Sequence, residues 1–129
     1  GLAWAYENRT AAIRVPSGPP VARRIEHRIA GGDINPYLML AVVLGAALAG
    51  IEDANEPPAP ITGNAYALDL PQTPETWAEA IARFESDPWI KRLLPEGLIQ
   101  NLLLTKKQEL TDVSELTDAE RMDLYLDTV

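Results

Sequence analysis

Residues 9–15, RTAAIRV, and 22–30, ARRIEHRIA, are two short runs held between turn formers. Pro16-Ser17-Gly18-Pro19-Pro20 separates them, and Gly31-Gly32-Asp33 follows the second. Punctuation of this kind predicts two strands forming a β-hairpin near the N-terminus. A run of opposite character comes next. It opens at Asn35-Pro36, and from Pro36 to Ile51 it carries no charged residue. Asn is a favoured N-cap, and Pro lacks only an N–H that the first helical turn would leave unpaired. The pattern predicts a helix from about 35 to 52. A helix apolar on every side must be covered on every side, so it is expected to be buried. At about 1.5 Å per residue it falls short of the roughly 20 residues that a bilayer span needs.

The stretch from 53 to 74 is Pro-rich and without period, which predicts a long loop. Thr73-Pro74-Glu75 then predicts a capped helix start, with Trp77, Ala80, Ile81 and Phe84 as its apolar stripe. A short helix is expected from Asp87-Pro88 to before Pro95. Leu98, Ile99, Leu102, Leu103 and Leu110 mark a third amphipathic helix, and Thr117-Asp118-Ala119-Glu120 matches a capping box for a last one. The expected class is therefore α+β: an N-terminal β-hairpin, a buried helix and a helical C-terminal half. Few apolar elements in the 129 residues could cover the 36–51 helix. Part of the core is expected to come from chain outside this sequence.

Charge is placed unevenly. The first 28 residues hold five Arg (Arg9, Arg14, Arg23, Arg24, Arg28) against Glu7 and Glu26, within a chain of formal charge −8. An acidic protein lacks the basic footprint of general nucleic-acid binding. A local Arg cluster fits a small anion, because the guanidinium fork matches phosphate and carboxylate. There is no Cys, which excludes a disulfide framework, a zinc-thiolate site and a thiol nucleophile. The absence fits a reducing compartment, and no charged-then-apolar leader pattern is seen, so a cytoplasmic location is expected.

Period two in the second strand puts Arg24, Glu26 and Arg28 on one face, with Arg23, Ile25, His27 and Ile29 on the other. Arg9 and Arg14 are five apart and would point to opposite faces of a flat strand. They share a site only through a bulge, or if Arg9 precedes the regular strand. These charges form either a solvated ladder of ion pairs or a metal ligand beside a carboxylate clamp. His27 and the three Trp residues read as structural.

Asn8-Arg9-Thr10-Ala11-Ala12-Ile13-Arg14-Val15-Pro16, then Arg24-Ile25-Glu26-His27-Arg28, then Asn35-Pro36-Tyr37-Leu38 resemble consecutive motifs of the glutamine synthetase family. The resemblance is strong over residues 4–52. It continues through Gly63-Asn64-Ala65-Tyr66 and Leu70-Pro71 into a helical tail. It implies that residues 1–129 are an incomplete C-terminal portion of that family's catalytic domain. The implied activity is an ATP-dependent ligase that makes γ-glutamyl phosphate and transfers the glutamyl group to an amine. The implied cofactors are ATP with Mg²⁺ or Mn²⁺. By matching positions, Arg9 would be catalytic and would contact ATP phosphate and glutamate. Arg14 would bind ATP, Glu26 would ligate a metal, and Arg28 would bind glutamate; Arg24 would lie near the nucleotide.

Where many members have a basic residue before the Arg pair, this chain has Pro19-Pro20-Val21. Gly31-Gly32-Asp33 and Asn64-Ala65-Tyr66 look more like the branch that joins glutamate to putrescine or another amine. Glutamine synthesis from ammonium and a non-catalytic binding or structural relative are the alternatives. Tyr66 matches a position that is adenylylated in some bacterial members; as residue chemistry alone it reads as a loop anchor. The partners implied are glutamate, an amine, the rest of the subunit and further copies of it, with no nucleic acid and no membrane. The isolated chain is expected to be inactive.

Overall fold

The structure is a computed structural model and describes residues 1–126; the end of the expected 1–129 span lies outside the described residues. The chain divides into two compact units. One comprises Gly1–Met39 with Ala47–Thr73, and the other Leu40–Ala46 with the chain from Pro74 on. The class is α+β, a small three-stranded sheet with five α-helices among the described residues.

In the first unit the strands are shorter than predicted, and there is one more of them. β1 is Trp4–Tyr6, β2 is Ile13–Val15 and β3 is Glu26–His27, in the order β1-β2-β3. β2 and β3 pair antiparallel, as the hairpin prediction requires, with Arg14 opposite Glu26. β1 adds in parallel, Trp4 opposite Ile13. Parallel neighbours normally need a long crossover. Here only six residues intervene, and the chain reverses through Glu7, whose φ of 50° is in the left-handed region.

The expected strand over 9–15 loses its first half because Asn8 holds residues 8–10 in a side-chain-closed turn. The expected strand over 22–30 loses its start because Pro20–Ala22 form a 3₁₀ turn. The last rung is Arg28 N–H donating to Ala12 C=O at 2.9 Å. The 53–74 loop does lack regular structure apart from a 3₁₀ turn at Ala65–Ala67. It is tied to the sheet through Ile61 N–H to Trp4 C=O, Leu2 N–H to Pro71 C=O, and Trp4 Nε1 to Pro58 C=O.

α1 is Pro36–Glu52, starting where expected. Asn35 Oδ1 accepts from the Tyr37 and Leu38 amides at 3.0 and 3.2 Å, a cap of a kind that contributes about 1 kcal/mol. The expectation that this helix is buried does not hold for this chain. Only Ala49 is buried, while Tyr37, Leu40, Leu44, Leu48 and Ile51 are all exposed, Leu44 at 65%. The physical reason was already in the composition: these residues include too little apolar material to surround a helix without a polar face.

The second unit is helical. α2 is Trp77–Ser86, α3 Ile90–Leu93, α4 Glu96–Val113 and α5 Asp118–Leu126. Ile81, Leu94, Ile99 and Leu103 form its core, with Val42, Trp77 and Phe84 packed against them. α2 begins later than expected. Its cap is Thr76, whose hydroxyl accepts from Glu79 N–H while Glu79 reaches back to Glu75 N–H. The capping box predicted at Thr117–Glu120 is present in both directions. Tyr125 of α5 donates to Glu109 of α4 at 2.8 Å.

Candidate active-site residues

Antiparallel register sets Arg14 of β2 across from Glu26 of β3. Their side chains meet, with Arg14 Nη1 donating to Glu26 Oε2 at 2.9 Å. Arg14 Nη2 donates to Glu7 Oε2 at 2.8 Å, and the other Glu7 oxygen accepts from the Ser17 amide. The second Glu26 oxygen accepts from Arg24 at 3.1 Å. Two carboxylates and two guanidiniums thus alternate across the sheet end.

Arg14 is the most enclosed of the four; its side chain is 12% exposed and its Nε is buried without a partner. The Arg14 guanidinium holds the Glu26 carboxyl below its usual range. Glu7 is lowered by the Ser17 amide first and by Arg14 second. Arg14 is raised in turn, chiefly by Glu26.

Arg9 and Arg28 are elsewhere. Arg9 lies in the turn before β2, the second of the two arrangements the five-residue spacing allowed. Arg28 lies just beyond β3. The two line one open cavity of about 250 Å³, with Thr10, Ile29, Tyr66 and Thr73 among its other walls. No carboxylate is among the lining residues. Period two groups Arg24, Glu26 and Arg28 on one face of the second strand. The structure gathers Arg14, Arg24 and Glu26 into the ion-pair cluster and puts Arg28 in the cavity with Arg9. β3 ends at His27, so Arg28 lies just past the paired residues.

Glu7, Asn8 and Thr10 were not among the residues assigned a role from sequence. For Asn8 and Thr10 there was a signal, since Asn followed two positions later by Thr is a frequent side-chain-closed turn. Glu7 gave none, because its role depends on an unusual backbone reversal.

Whether these residues suit a divalent cation can be judged from the donor set. Mg²⁺ and Ca²⁺ take about six or more oxygen ligands. Among the described residues no group of three or more His, Cys, Asp and Glu is close enough to hold a metal. Both Glu26 oxygens are already engaged by Arg. The chain's own residues do not fit a complete metal site. They do fit an anion, at the Arg9–Arg28 cavity.

A family model for the glutamine synthetase catalytic domain matches residues 1–125. The chain belongs to the glutamine synthetase family. A gamma-glutamylethanolamide synthetase of Streptomyces coelicolor is 40% identical over 76% of this chain and 21% of its own length. A glutamine synthetase of Thermus thermophilus is 34% identical over 98% of this chain and 30% of its own. A gamma-glutamylputrescine synthetase of Escherichia coli is 29% identical over 88% and 24%. The chain spans less than a third of the length of these relatives. No helix among the described residues is long and apolar enough to cross a membrane.

Proposed function

We propose that this chain serves an ATP-dependent ligase that joins the γ-carboxylate of glutamate to an amine. One observation carries the reading: two guanidiniums, Arg9 and Arg28, line a cavity with no carboxylate in its walls. A substrate with two carboxylates complements such a cavity, and a planar fork can hold a carboxylate through two parallel hydrogen bonds. Family membership supplies the chemistry. A γ-carboxylate oxygen attacks the terminal phosphorus of ATP and ADP leaves. The amine nitrogen then attacks the acyl carbon and phosphate leaves.

In this reading Arg28 binds the glutamate carboxylate. Arg9, at the cavity's other guanidinium, binds glutamate and stabilises charge on the transferring phosphoryl group. Arg14 serves the ATP side. Glu26 supplies one oxygen ligand of a divalent cation, Mg²⁺ or Mn²⁺, whose remaining ligands lie outside this chain. The intact enzyme is proposed to work in the cytoplasm as a homo-oligomer, a reading supported by its family.

The acceptor is proposed to be an organic amine of the putrescine kind. Gly31-Gly32-Asp33 and Asn64-Ala65-Tyr66 support an amine branch, as do relatives named for ethanolamide and putrescine products. Ammonium is the second reading, favoured by a likeness to a glutamine synthetase that extends over 98% of the chain. Phosphate release by the intact subunit with glutamate, ATP and a panel of ammonium, ethanolamine, isopropylamine and putrescine tests both. Release with an organic amine well above that with ammonium supports the first. Release with ammonium alone supports the second, and none with any acceptor ends both.

A further inference from the structure

Asn8 and Thr10 bracket Arg9, and their side chains are used up in a closed set of hydrogen bonds. Asn8 Oδ1 accepts from Thr10 N–H at 2.9 Å and from Thr10 Oγ1 at 2.7 Å. Asn8 Nδ2 donates to Gly63 C=O at 2.7 Å. Thr10 Oγ1, its proton given to Asn8, accepts from Ala65 N–H at 2.9 Å. The single Thr10 hydroxyl therefore works in both directions. Ala65 is 1% exposed, so its amide has no ready exchange with water. Gly63 presents its carbonyl from a φ of 76°, a conformation that suits glycine. One residue past Ala65 stands Tyr66, whose amide is taken by Asn64 Oδ1 at 3.0 Å. Tyr66 is a wall of the cavity that Arg9 and Arg28 line.

We infer that Asn8 and Thr10 are positioning residues that clamp the 63–66 loop to the Arg9 turn, so that Arg9, Arg28 and Tyr66 enclose one glutamate-binding cavity. The inference rests on the proposal that this cavity receives glutamate. The clamp acts on the backbone at both ends: it fixes where Arg9 leaves the chain and where Tyr66 stands. Loss of it leaves all three cavity side chains in place chemically but not held together.

The test uses the intact subunit and measures KM for glutamate, KM for ATP and kcat, with amide hydrogen exchange at Ala65. Thr10→Val keeps the shape and removes the hydroxyl. It is expected to raise the glutamate KM about tenfold, the scale of one or two lost hydrogen bonds, and to leave the ATP KM within about twofold. Exchange at Ala65 is expected to quicken. Thr10→Ser is expected to restore both readouts. Asn8→Asp keeps the acceptor for Thr10 and turns the donor to Gly63 into an anionic oxygen that repels its carbonyl, so it reads the same split if Thr10→Val fails to fold. Arg28→Ala separates the two claims. An unchanged glutamate KM in Arg28→Ala overturns the cavity assignment and the inference with it. A raised KM in Arg28→Ala beside native values in Thr10→Val or Asn8→Asp overturns the clamp alone, as does Thr10→Ser behaving like Thr10→Val.

Discussion

Arg14 and Glu26 stand opposite each other in the β2–β3 register and are joined at 2.9 Å, and each is also held by a second partner of opposite charge. Glu26→Gln keeps the shape of this arrangement and removes one of its negative charges. In the intact subunit the substitution is expected to raise the metal concentration needed for half-maximal rate by about 10–100-fold, with the fold intact. A metal titration of turnover measures it. An unchanged curve leaves Glu26 as one rung of a charge ladder.

Arg28→Lys retains the charge at the cavity and gives up the planar fork. It is expected to raise the glutamate KM about tenfold or more while the ATP KM holds, the scale of one charge-assisted hydrogen bond. Steady-state kinetics with each substrate varied in turn would show it. Equal effects on both substrates would place Arg28 outside the glutamate side.

The isolated chain is expected to self-associate and to show no glutamate-dependent ATP hydrolysis. Leu40, Leu44, Leu48 and Ile51 are exposed along α1, and burying a Leu side chain contributes roughly 1.5–3 kcal/mol. Sedimentation velocity should report oligomers, and Leu44→Lys with Leu48→Lys should shift the chain toward monomer. A monodisperse native monomer that hydrolyses ATP would contradict both statements.

The helical unit should lose stability at both ends of the pH scale. Glu109 is held below its usual range by Lys106 first and Tyr125 second. Its contribution is therefore complete above the unfolded carboxylate value, about 4.3, and is lost as pH falls through the folded value. Tyr125 is raised by the same Glu109 contact. Its contribution is complete below the unfolded phenol value, about 10, and is lost as pH rises through the folded one. Urea denaturation from pH 3 to 11 should show both losses. Tyr125→Phe should flatten the alkaline side, and an unchanged alkaline slope would sever the link.

Gly63→Ala meets no atom within 4 Å, so any cost arises from the backbone alone. With φ at 76°, about 1–2 kcal/mol of destabilisation is expected by chemical denaturation. Native stability in the variant would mean that the turn relaxes freely.

Much of this was legible from local chemistry. Asn35-Pro36 fixed the start of α1, and Thr117 with Glu120 fixed that of α5, because caps act within four residues. The β2–β3 pairing followed from the turn formers around Pro16-Ser17-Gly18. The Arg9, Arg14, Glu26 and Arg28 roles came from resemblance and remain proposals. What escaped was long-range or too short to have a period. β1 is three residues long and pairs through a left-handed Glu7. The Thr76 box competes with Thr73-Pro74, an equally good local signal three residues earlier. That Arg28 lines a cavity with Arg9 depends on where the Arg9 turn lies, which alternation alone does not state.

The ties between the first ten residues and the 58–71 stretch close loops of more than fifty residues, 54 between Trp4 and Pro58 and 55 between Asn8 and Gly63. Loop closure carries an entropic cost that rises with the logarithm of length, and it must be met before such contacts repay it. Within residues 74–126 the ties are between nearer neighbours, as in the 22-residue separation of Lys107 from Glu85, and Val42 is the distant residue packed on that core. Proteins dominated by distant pairings fold more slowly than those dominated by local ones. Contacts among residues 74–126 therefore close at a lower entropic cost than the ties around Asn8, and the Arg9 turn is expected to reach its final form only after the chain beyond α1 has returned to it.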